Sequence, residues 1–138
     1  MFGMVVLSQN IKNRNVLVQR VTRHPLGAHT EIGPPVVISE TELPSRLVQE
    51  ILNALDAYGE PFDEPKVATL SDAEYKKFRK EHNRVSVTRS QDGGIEVLPE
   101  RHVRGGFAGF SEDELRIMPN ETTERFYATV LEALAKAQ

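Results

Sequence analysis

Two stretches decide how this chain is read: residues 36–57, VVISETELPSRLVQEILNALDA, and residues 115–136, LRIMPNETTERFYATVLEALAK. Shifted by 79 positions, they align without a gap. Val36 falls on Leu115, Ile38 on Ile117, Leu47 on Phe126 and Val48 on Tyr127. Ile51 then falls on Val130, Leu52 on Leu131, Ala54 on Ala133 and Leu55 on Leu134. Any two amphipathic helices align somewhere. A gapless match that carries a strand, a turn and a helix together is the stronger sign of duplication. Upstream of each copy lies a strand-like run ending in the same tripeptide, Val21-Thr22-Arg23 and Val87-Thr88-Arg89. The expected repeats are therefore residues 16–58 and 84–137, joined by a linker over 59–83.

Working outward, residues 16–23 alternate as a strand does, with Val16 and Val18 on one face and Leu17, Gln19 and Val21 on the other. His24-Pro25-Leu26-Gly27 breaks it, and Val36–Ile38 forms a short strand after two prolines. Ser39 and Glu42 have capping-box spacing, and Pro44 suits a first helical turn. Leu43, Leu47, Ile51 and Leu55 then predict a helix that stops at Gly59. A second capping box, Ser71 and Glu74, predicts a short helix over 71–82. Arg84–Arg89 and Gly94–Leu98 read as a hairpin turned by Asp92-Gly93, where both residues can take positive φ. Residues 99–113 read as a long loop, 114–118 as a strand, and 120–136 as a closing helix capped by Asn120. Three helices with a mostly antiparallel sheet make one α+β domain spanning residues 1–138.

The composition excludes more than it selects. There is no cysteine, hence no disulfide framework, thiolate metal site or cysteine nucleophile. The apolar run Met1–Leu7 is too short for a membrane span and lacks the basic start of a signal peptide, so a cytoplasmic protein is expected. A net charge of −3 opposes binding to nucleic acid through its phosphates and suits a basic partner.

Candidate chemistry is sparse. His24, His29, His82 and His102 lack metal-ligand spacing, and no metal or cofactor site is expected. His24, His29 or His102 beside an arginine would form the minimal apparatus of a metal-free ribonuclease; solvated surface histidines are the plainer reading. The glycine cluster Gly105–Phe110 could cradle a phosphate or nucleotide, yet it lacks the Gly-Lys-Ser/Thr of a P-loop. Alternatively, Phe107 and Phe110 tuck a glycine-rich loop onto the core or mark a partner patch. The linker mixes aromatics with carboxylates at Tyr58, Glu60, Phe62, Asp63 and Glu64, a composition suited to a basic protein surface.

The order of Tyr75-Lys76-Lys77-Phe78, Val85-Ser86-Val87, Ile95-Glu96-Val97-Leu98-Pro99, the glycine-rich run and the closing Leu131-Glu132-Ala133-Leu134 resembles one known group. These are the immunity proteins of bacterial contact-dependent growth inhibition systems, formerly a domain of unknown function. The resemblance covers nearly the whole chain. It implies a non-enzymatic inhibitor that binds the C-terminal toxin domain, often a nuclease, of the effector encoded beside it. It lends no fixed interface residues. Tyr58, Glu60, Phe62, Asp63, Glu64, Phe107 and Phe110 are the expected contacts, with no catalytic residue.

Overall fold

The computed structural model describes residues 3–23, 29–31, 34–42, 44–58 and 71–137. In chain order these form β1 (Gly3–Asn10), β2 (Val16–Arg23), β3 (His29–Glu31), β4 (Val36–Ile38) and α1 (Ser45–Asp56). After these come α2 (Asp72–Glu81), β5 (His82–Arg89), β6 (Ile95–Val103), β7 (Gly106–Gly109), β8 (Leu115–Ile117) and α3 (Thr123–Lys136). The strands make one antiparallel sheet in the order β3-β2-β1-β5-β6-β7, with β4 also on β2 and β8 also on β6. The fold is α+β, as expected.

The pairings recur in two sets. Val16 faces Ile38 and Val18 faces Val36, as Ile95 faces Ile117 and Val97 faces Leu115. Val5 faces Arg20 and Leu7 faces Val18, as Val85 faces Pro99 and Val87 faces Val97. Thus β1–β4 with α1 correspond to β5–β8 with α3. The two sets meet where β1 pairs β5, around Val6 opposite Ser86. Among the described strands and α-helices, α2 alone has no counterpart. The first unit is therefore longer than its expected repeat, because it begins one strand earlier, at β1, whereas the second begins at β5 as the expected repeat does. The shared Val-Thr-Arg tripeptide is not part of the correspondence: it ends β2 in one half and β5 in the other.

One core serves both halves. Val5, Leu7, Val85 and Val87 from the middle strands meet Leu47, Ile51 and Leu55 of α1 and Phe126, Val130 and Leu134 of α3. The two helices also touch each other. The 79-residue match survives in burial: Leu55 and Leu134 are 0% and 2% exposed, and both short strands end on a buried isoleucine.

Local expectations differ from the structure in four places. Ser39 and Glu42 do bond, but not as a capping box: Ser39 donates both its N–H and its hydroxyl to Glu42 Oε1, closing a 3-10 turn at Glu40–Glu42. Helix α1 starts later, with Pro44 at the N-cap and no side-chain bond there. Asn120 is not the cap of α3: it takes φ 67°, and Thr122 accepts the N–H of Arg125 instead. In the 90–94 turn only Gly93 has positive φ (84°), so Asp92 instead accepts the Gly94 N–H at 2.8 Å. Residues 99–113 are not a loop: β6 continues to Val103 and turns at Gly105 (φ 84°) into β7. Ser71 and Glu74 form the capping box of α2 as expected. The expected helix stop at Gly59 lies outside the described residues.

Candidate functional site

The expected contact residues fall in separate places. Glu60, Phe62, Asp63 and Glu64 lie outside the described residues. Tyr58 is half-buried just beyond α1, its N–H bonded to the Leu55 carbonyl. That end of α1 is tied to the C-terminal end of β5 by Asp56 and Arg89, 2.7 Å apart. Phe107 and Phe110 belong to the other end, because β7 pairs with β6 at Glu100–Val103 and Glu100 faces Arg84. Five residues of β5 separate Arg84 from Arg89, which at ~3.3 Å per residue is about 16 Å. The structure thus brings the two phenylalanines together on one hairpin and leaves Tyr58 apart.

The β6–β7 hairpin places side chains on both of its faces. Alternation puts Glu100 and His102 on the face away from α1 and α3, and Arg101 on the other. On the first face Phe107 lies against His102, with ring centroids 4.9 Å apart. The Arg84 guanidinium sits 5.6 Å from the Phe107 ring centroid. Its Nε lies 2.7 Å from Glu100 Oε2, and its Nη1 lies 3.5 Å from Glu31 Oε1 on β3. Both Arg84 Nε and Glu100 Oε2 are buried, yet neither has an aligned hydrogen bond, so their contact is coulombic. Burial raises the Glu100 carboxyl above its ordinary 4.5; Arg84 opposes the rise and Glu31 adds to it.

On the other face Arg101 is clamped. Its Nε donates to Asp113 Oδ2 at 2.8 Å, Nη2 reaches Glu112 at 3.3 Å, and its guanidinium lies 4.4 Å from the Phe110 ring centroid. Val103 and Phe110 remain exposed beside it. A Cβ at Gly109 would come within 2.4 Å of Leu98 Cδ2, so a larger residue there would force the Leu98 side chain to move. Phe107 is half-buried and Phe110 exposed, each beside an arginine, and aromatics and arginines are both enriched at protein interfaces. Arg84, Glu100 and Glu31 escaped the sequence reading because their contacts cross strands. Once β6 is aligned on β2, Glu100 is visible as a charge at a strand position where its counterpart is apolar.

The ribonuclease and phosphate readings gain no geometry. His82 is buried, stacked on Phe78 at 4.0 Å with its Nδ1 2.9 Å from the Phe78 carbonyl, while His102 is exposed. His24 lies outside the described residues, and His29 lies on β3. The glycine cluster turns one strand into another and does not open a helix, so it lacks the N-terminal amides of a phosphate site. Among the described residues no three His, Asp or Glu side chains are grouped to hold a metal ion, and no helix is long and apolar enough to cross a membrane.

Solved structures match this arrangement, among them the following two. One is a protein of unknown function from Neisseria meningitidis, with a TM-score of 0.72 and 15% identity, covering 99% of this chain and 95% of the other. The second is a chain of a CdiA-CT/CdiI toxin and immunity complex from Yersinia pseudotuberculosis. It gives a TM-score of 0.68 at 13% identity, covering 99% of this chain and 97% of that one. This chain shares its fold with both. No family model and no curated protein matches it. At such identities the likeness lies in backbone arrangement and assigns no individual residue.

Proposed function

We propose that this protein is an immunity protein that binds the C-terminal toxin domain of a contact-dependent growth inhibition effector and blocks it in the cytoplasm. The observation that carries this reading is the fold shared, over 99% of the chain, with a component of a toxin and immunity complex. The toxin is a nuclease: a net charge of −3 suits a basic, nucleic-acid-binding surface. Inhibition works by occlusion and needs no catalytic group. Because free toxin turns over, the complex must be tight, on the order of nM or better.

The interface we propose combines the β6–β7 edge, with Phe107 and Phe110, and the acidic stretch Tyr58, Glu60, Phe62, Asp63 and Glu64. Reversing Glu60, Asp63 and Glu64 together should weaken binding and flatten its salt dependence. The function itself is tested by co-expressing the chain with the C-terminal domain of the protein encoded directly upstream. Survival of cells that otherwise die supports the reading. Death despite a well-folded, abundant chain refutes it.

A further inference from the structure

The correspondence between the halves isolates one position where they disagree in kind. Extending the matched registers equates Arg84 with Met4 and Glu100 with Val21. Val21 is 3% exposed, and Met4 is half-buried beside it, so the first half closes this part of the sheet with apolar side chains. The second half puts an arginine and a carboxylate into the same place. The fold does not require them there. Replacing a buried ion pair by apolar residues of similar size is commonly neutral or stabilising.

The charges are also left incomplete. Among the described residues one guanidinium serves two carboxylates, Glu100 at 2.7 Å and Glu31 at 3.5 Å, which leaves one negative charge in excess there. The buried Oε2 of Glu100 has no aligned donor. Glu31 is 50% exposed and His102 is exposed, so the cluster can be reached from solvent on the Phe107 side. A second cation with N–H donors would neutralise the excess, bond to the half-exposed Glu31 carboxylate, act on buried Glu100 through its charge and lie along the face of Phe107. An acidic group would meet two carboxylates instead.

We infer that Glu31 and Glu100 form a notch that receives a lysine or arginine side chain of the protein partner. Arg84 holds Glu100 in place from behind, and Phe107 lines the approach. This rests on the toxin-binding reading and names the group on the toxin that the site recognises. Because Met4 and Val21 are apolar, the first half supplies only Glu31 of β3 to the notch, and Arg84 and Glu100 of the second half supply the rest.

The test measures affinity for the toxin domain encoded directly upstream by calorimetry, with thermal unfolding of the free chain as control. The variants are Glu31→Gln and the double change Arg84→Met with Glu100→Val, which copies the first half into the second. The double variant should unfold no earlier than the unsubstituted chain and bind on the order of a hundredfold more weakly. Glu31→Gln should weaken binding about tenfold. Affinities within about twofold of the unsubstituted chain overturn the notch while leaving toxin binding intact. If the unsubstituted chain forms no complex, toxin binding and the notch both fall. If the double variant does not fold, Glu31→Gln decides alone, since that carboxylate is half-exposed and its loss leaves the sheet unchanged.

Discussion

The half of the sheet built from β1–β4 with α1 and the half built from β5–β8 with α3 answer the same packing problem with the same pairings. On the helix-covered face their residues are interchangeable in kind: Val16 and Ile95, Val18 and Val97, Leu55 and Leu134. On the opposite face they part company. The first half places Val21 where the second places Glu100, and Glu31 pairs opposite Val21 where Gly109 pairs opposite Glu100. What both halves keep is what the fold needs. What one half changes, against the apolar solution available to it, is where a selective pressure other than folding acts.

This contrast can be broken first in the core. Leu55→Ala and Leu134→Ala remove the same atoms from corresponding helix positions, both almost fully buried. Each should cost about 2–5 kcal/mol in urea unfolding, and the two costs should agree within about 1 kcal/mol. A helix whose leucine can be truncated at no cost would not be an equal partner in the core.

A smaller effect, of opposite sign, is expected from Arg84→Met with Glu100→Val: a gain of about 1–2 kcal/mol near neutral pH. Its pH dependence follows from the raised Glu100 carboxyl. In the window between the unfolded value of 4.5 and the raised folded value, the native state holds the extra proton. Wild-type stability therefore falls as pH rises through that window and stays lower above it. The variant lacks this loss, so its advantage is full at pH 7 and shrinks toward pH 4. Unfolding curves at both values check this; an advantage that grows on acidification would reverse the argument.

The smallest effect concerns how the two helices begin. Thr122 caps α3 with its side chain, whereas Pro44 gives α1 no such bond. Thr122→Ala should cost about 1 kcal/mol. Ser39→Ala should cost less, because Ser39 closes a 3-10 turn ahead of α1.

The sequence showed its helices more clearly than its sheet, and the reasons are local. Leu47, Ile51 and Leu55, with Val130 and Leu134, recur at helical spacing, and each helix buries one stripe. The central strand β1 went unseen as a strand. Packed on both faces, Val5, Val6 and Leu7 form an unbroken apolar run that carries no alternation to read. The end of β6 and β7 looked like a loop, because Glu100-Arg101-His102 is polar and Gly106-Phe107-Ala108-Gly109 is glycine-rich. Their strand character comes from pairing with each other, which a single run of sequence does not display. The cluster at Arg84 was illegible for the same reason, since it draws on β3, β5, β6 and β7 at once. Phe107 and Phe110 stood out in the sequence as the two aromatics of a glycine-rich run.

Hydrogen exchange on the chain, alone and mixed with the toxin domain encoded directly upstream, tests the central claim most directly. Binding through the β6–β7 edge and the notch it forms with β3 predicts slowed exchange in residues 100–110 and 29–31, with little change in the β2 segment 16–20. Protection confined to the faces of α1 and α3, or no protection anywhere with active toxin present, would contradict it.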